Sequence, residues 1–116
     1  MKIVSDDSRI VDELFDYLDI KGIEVDKLER PLDKVTSKRP MGGLETYLSM
    51  GANATAILTG LAVSYQYITK NHPNWYLVFI PFSNDKIETT YEEYEKMSDN
   101  AKKAISENYD VLIKKK

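Results

Sequence analysis

The sequence predicts an α+β fold: a β-α-β opening, a long central helix, a β-hairpin and a C-terminal helix, together a small sheet packed by helices. Three observations carry this. Residues 9–20, RIVDELFDYLDI, place Ile10, Val11, Leu14, Phe15 and Leu18 at the i, i+3, i+4 spacing of an amphipathic helix. Residues 75–82, WYLVFIPF, form the densest run of aromatic and β-branched side chains, as a strand favours. Between them lie 24 consecutive uncharged positions, 46–69, in a chain that is 30% charged.

The elements follow in order. Lys2 to Ser5 is short and apolar-centred, and Asp6, Asp7 and Ser8 supply N-cap chemistry for the first helix, whose acids cluster in its opening turns on the side the helix dipole favours. Gly22 fits a C-terminal stop. IEVDKLERPL then reads as a strand with Ile23, Val25 and Leu28 inward. Pro31 to Pro40 is a loop by its prolines and charges, and Met41-Gly42-Gly43 is a hinge before a helix over 44–69. Pro73 in NHPN ends that helix, because proline biases the preceding residue away from helical geometry. The polar SNDK after WYLVFIPF is a hairpin loop leading into IETTY, and Pro81 marks an edge or a bulge. EEYEKMSDNAKKAISENYDVLIKKK reads as a helix that restarts at Ser98, with Tyr94, Met97, Ala101, Ala104, Ile105, Tyr109, Leu112 and Ile113 along one side.

Projected as one helix, 44–69 has two unlike halves. Leu44, Tyr47, Leu48, Met50, Ile57, Leu58, Leu61, Tyr65 and Ile68 make a core face. The other half holds Ser49, Ala52, Asn53, Ala56, Thr59, Gly60, Val63 and Ser64, where a helix facing water would carry lysines and glutamates. Ala52, Ala56, Gly60 and Ser64 follow one another at i+4 as a ridge that another backbone can approach closely. A helical glycine costs roughly 1 kcal/mol against alanine, so close approach at Gly60 would offset that cost. Three occupants compete for the ridge: the chain's own core, a second protein surface, and a membrane, which the many hydroxyls make the least favoured.

At 116 residues and 42% hydrophobic, the chain is expected to fold as a single domain spanning 1–116. No cysteine is present, so disulfides, thiolate metal sites and cysteine nucleophiles are excluded. MKIVSDDSRI lacks a signal-peptide run, so a cytoplasmic location is expected. Residues 1–29 carry nine acids against four bases, which argues against nucleic acid as a partner, while 30–39 form a small basic loop. The single histidine, His72, sits in a turn; one imidazole with no cysteine cannot assemble a common zinc set, and any Ser-His-Asp arrangement would have to use it, so a turn role is expected. The acids are spaced as solvated helix faces, and no phosphate-binding or calcium loop occurs. Catalytic, cofactor-binding and metal residues are therefore expected to be none, and the chain is expected not to be an enzyme.

Met41-Gly42 ahead of the uncharged segment, the step Leu58-Thr59-Gly60-Leu61-Ala62 and the element order resemble the effector-associated constant component family of bacterial conflict systems, over nearly the whole chain. The resemblance implies a small non-enzymatic adaptor or scaffold acting beside an effector such as a protease, in an anti-phage or toxin-type setting. The expected function is thus binding, to itself or to a partner protein, through the long uncharged helix, with Met41, Gly42, Ala52, Ala56, Gly60 and Ser64 at the interface. Two alternatives stand beside it: conditional membrane insertion of 44–69, and inhibition of another enzyme by the acidic N-terminal helix.

Overall fold

Four helices and six strands order the residues that the computed structural model describes, 1–31, 44–51, 53–82 and 88–116. They run β1 (Lys2–Ser5), α1 (Ser8–Ile20), β2 (Val25–Pro31), β3 (Leu44–Met50), α2 (Ala54–Asn71), β4 (Trp75–Pro81), β5 (Thr89–Thr90), α3 (Tyr91–Glu95), α4 (Asp99–Asn108) and β6 (Tyr109–Lys115). The fold is α+β, built on one mixed sheet of order β2-β3-β1-β6-β4-β5.

Helix α1 forms as its pattern demands. Asp7 is the N-cap and its carboxylate accepts from the Arg9 amide at 3.0 Å, although the first turn itself carries no acidic residue. The helix stops where Gly22 takes a φ of +76°, with the Gly22 and Ile23 amides donating back to the Asp19 and Leu18 carbonyls. That reversal needs the left-handed backbone conformation which glycine adopts without strain. Strand β2 follows, but Leu28 faces outward at 44% exposure, against the inward expectation.

The largest correction concerns the uncharged segment. Leu44–Met50 is not the start of a helix but strand β3, antiparallel to β2 from Val25↔Met50 to Pro31↔Leu44 and to β1 at Ile3↔Leu48. Its alternation, with Leu48 and Met50 buried and Tyr47 and Ser49 half-buried, has a period of two. Asn53 then caps a new helix, its side-chain oxygen accepting from the Thr55 and Ala56 amides at 2.9 and 3.3 Å. One uncharged stretch thus serves two elements in succession.

The C-terminal helix is corrected in the same way. Thr90 opens α3 through a reciprocal capping box with Glu93, and Ser98 caps a separate α4, as the expected restart required. After Asn108 the chain becomes β6 and enters the middle of the sheet, parallel to β1 at Ile3↔Val111 and antiparallel to β4 at Phe79↔Val111. The expected hairpin after WYLVFIPF is present as β4 and the two-residue β5, paired at Val78↔Thr90 and Phe79↔Thr89. Pro81 closes β4 opposite Tyr109. The loop readings on 32–40 and on the SNDK turn lie outside the described residues.

Pairing directions make β1 and β2 parallel with β3 between them, so β1-α1-β2 is a split crossover. By the same logic β3-α2-β4 spans β1 and β6. Both crossovers put their helices on one side of the sheet. Ile3, Leu48, Met50, Leu77, Phe79, Val111 and Ile113 point into that side and form one core with Ile10, Val11, Leu14 and Leu18 of α1, Ile57, Leu61 and Ile68 of α2, Tyr91 and Tyr94 of α3 and Ile105 of α4. No helix among the described residues is long and apolar enough to cross a membrane.

Candidate interaction surface

Because strand side chains alternate, the register that fixes the covered face also fixes its opposite. Lys2 stands beside Ser49, Val4 beside Leu112, Tyr76 beside Lys114, Val78 beside Leu112 and Ile80 beside Asp110, all on the side away from the four helices. Val78 is buried; Lys2, Val4, Tyr47, Tyr76, Ile80, Asp110 and Leu112 are half-buried. Leu28 extends the apolar stripe at one edge. The charges are few and of both signs. The Lys2 amide donates to Asp110 Oδ1 at 2.9 Å, and the Lys2 ammonium lies 5.3 Å from the centre of the Tyr47 ring. Taken from their side chains, Lys2 and Lys114 offset Asp26 and Asp110.

The sheet's outer edge at β2 is defended. Asp26, Lys27, Leu28 and Glu29 are exposed along it, and Pro31 ends it, so pairing with another strand there meets charge and a missing donor. A partner of this sheet has its best apolar contact on the face.

The sequence placed the interface elsewhere, on the ridge of small residues. Met41, Gly42 and Ala52 lie outside the described residues, and Ala56 is exposed. Gly60 and Ser64, however, are buried within the chain itself. A Cβ added to Gly60 would meet Met50 Sδ at 2.9 Å and Ile23 Cγ2 at 3.6 Å, so the surface that approaches this part of the ridge is the end of β3 and the residue leading into β2. The Ser64 hydroxyl donates to the Gly60 carbonyl at 2.7 Å. On the solvent side, Thr59 and Thr69 likewise donate to the carbonyls of Thr55 and Tyr65. These hydroxyls satisfy themselves on the carbonyls of their own helix.

His72, read as a turn residue, has a specific contact. It caps the C-terminus of α2, and its Nε2 lies 2.7 Å from Glu13 Oε2, which also accepts from the Tyr67 hydroxyl at 3.2 Å. Tyr17 packs edge-on against Tyr67 at 4.7 Å. The cluster clips the end of α2 to α1. Nothing in 1–29 alone marks Glu13 as the partner of a residue 59 positions away. Burial, and then the Glu13 charge, push the Tyr67 hydroxyl pKa up, so it stays a neutral donor. The arrangement holds two helices together.

Tyrosines gather again under α3. Tyr65 stacks on Tyr91 at 4.1 Å, and Phe79 meets Tyr94 at 4.7 Å and Tyr91 at 6.3 Å. Desolvation raises the pKa of the Tyr91 and Tyr94 hydroxyls, and Glu95 adds to the rise at Tyr91. No group of three or more metal-ligating side chains occurs among the described residues. Comparison of the chain with protein-family models, with curated proteins and with solved structures gives no match.

Proposed function

We propose that this chain is a non-enzymatic protein-binding module whose contact surface is the helix-free face of its sheet, and that a second copy of the chain is the occupant. The observation that supports it is the stripe of Val4, Leu112, Val78, Tyr76 and Ile80, joined by Tyr47 and Leu28, with the four helices of the described residues on the other side. Soluble folds usually answer such a face with a second layer. Two sheets stack about 10 Å apart when their apolar faces meet. The balance of Lys2 and Lys114 against Asp26 and Asp110 lets the face meet itself across a two-fold axis with opposite charges available to each other.

The 34 strand residues, about 4.8 Å apart across the sheet and about 3.3 Å apart along it, give a face of about 540 Å². That is below the roughly 800 Å² per partner of a standard stable interface, so the dimer is a weak and exchangeable one. An adaptor that assembles beside an effector, in the bacterial conflict setting implied by the sequence resemblance, is the role we propose for it. That setting rests on sequence alone; the binding reading rests on the face.

Sedimentation velocity from about 5 to 500 µM tests the reading, a range chosen for weak association. The wild type is expected to shift toward a dimer across the series, and Leu112→Glu to remain monomeric and cooperatively folded, melting several degrees lower. A wild type that is monomeric throughout removes the self-binding reading.

A further inference from the structure

A cleft with Tyr76 of that face at its edge lies where the end of α2, the start of β4 and α3 meet, beyond the point at which the short β5 ceases to flank β4. Its volume is about 130 Å³, and Tyr65, Ile68, Trp75, Tyr76, Leu77 and Glu92 line it. Sites for nucleotides or drug-sized metabolites run to roughly 300–1,000 Å³, so this one fits a group of side-chain size. Tyr65 and Trp75 give it aromatic walls. One face of the Tyr65 ring is taken by Tyr91, stacked at 4.1 Å and 15°, which fixes the ring with its other face outward. Glu92 Oε1 accepts from the Tyr65 hydroxyl at 3.2 Å and, as a carboxylate, keeps further acceptor positions free.

We propose that this cleft is a receptor for one organic cation, the ammonium or guanidinium end of a lysine- or arginine-like group. Aromatic faces attract cations through their quadrupole, and an adjacent carboxylate supplies the opposing charge and a hydrogen-bond acceptor. An anion would meet Glu92 directly. Lys116 also lines the cleft, its backbone amide donating to the Asn74 carbonyl at 2.7 Å, and the charges of Glu92 and Glu95 both reach the Tyr65 hydroxyl. The Tyr65 hydroxyl pKa is raised, by burial first and then by Glu92, in keeping with that negative surrounding. The proposal is independent of self-association through the sheet face.

Trp75 is the chain's only tryptophan and sits in the cleft wall, so its fluorescence reports occupancy. The full-length protein is titrated with n-butylammonium chloride, with acetyl-lysine-amide carrying a free side-chain amine, with n-butanol as the neutral isostere, and with sodium chloride at equal ionic strength. Saturable change is expected with the first two only, and Glu92→Gln should weaken it about two- to fivefold, the range of a half-exposed ion contact. Glu92 is exposed and outside the core, so this variant keeps the fold, which its melting curve checks. Saturation by butylammonium without the lysine amide assigns the site to free amines, and saturation by both assigns it to a protein side chain. Equal response to n-butanol, no saturable response to either cation, or unweakened binding in Glu92→Gln overturns the proposal.

Discussion

The two faces of one sheet are made from alternate residues of the same strands, yet they have opposite fates. On one, Ile3, Leu48, Phe79, Val111 and Ile113 are fully buried beneath four helices. On the other, their immediate neighbours Val4, Tyr47, Ile80 and Leu112 remain half-buried. Both faces are apolar enough to pack. What separates them is the hand of the two split crossovers, which puts both long helices on the same side. Composition along a strand therefore tells which residues can be buried, and connectivity tells which ones are.

The sharpest way to break the comparison is a paired truncation. Phe79→Ala on the covered face is expected to destabilise by about 3–5 kcal/mol, because it removes a ring packed on Tyr91 and Tyr94 and leaves a cavity. Leu112→Ala, next to Val111 in sequence but on the open face, is expected to lose about 1 kcal/mol, because less apolar area leaves water there. Urea unfolding of both at equal concentration gives the difference; equal losses would mean that the open face is covered within the monomer.

The next effect concerns the ridge. Gly60→Leu drives a side chain into Met50 and Ile23 and is expected to cost about 1–3 kcal/mol by overpacking. Gly60→Ala should be close to neutral, since the flexible end of Met50 yields and the helix gains up to about 1 kcal/mol of propensity. Were the ridge a free surface, both changes would leave stability unaltered, which thermal melting would reveal.

Smaller still is the contribution of the Tyr94 hydroxyl, buried with no hydrogen-bond partner among the described residues. Tyr94→Phe is expected to raise stability, by up to about 1 kcal/mol, because it removes an unsatisfied group and keeps the ring. A loss on denaturant titration would mean that the hydroxyl is bonded.

The last effect appears only at alkaline pH. Burial, and then the Glu95 charge, hold the folded pKa of Tyr91 above the ordinary tyrosine value of about 10. Above pH 10 the unfolded chain gives up that proton and the folded one retains it, so stability is intact below pH 10 and falls as pH rises beyond it. Tyr91→Phe should flatten that fall between pH 10 and 11.5 in a melting series; an unchanged slope would assign it to other groups.

Much of the fold was legible because it rests on local signals. Asp7 and Gly22 bracket α1, Ser98 restarts the C-terminal segment, and the aromatic run at Trp75–Pro81 is a strand. The long uncharged helix was misread because Leu, Tyr and Met fit either period over seven residues, and the decisive marks were small: Gly51 and the Asn53 cap. Gly60 and Ser64, expected at an interface, are buried within the chain for a related reason. A ridge of small residues states that something comes close, and the something here is Met50 and Ile23. The cleft was not legible at all, since Tyr65, Trp75 and Glu92 are distant in sequence and only the packing of α2, β4 and α3 brings them together.

By itself, then, the sequence determined the caps of α1 and α4, the stop at Gly22, the amphipathic face of α1 and the α+β class, since each depends on residues within a few positions of one another. Tertiary structure alone decided that 44–50 and 109–115 are strands and that the first and last strands lie side by side in the sheet. The pairing of Ile3 with Val111 joins residues at opposite ends of the chain, and the hydrogen bonds that favour strand over helix there exist only once the partner strands arrive.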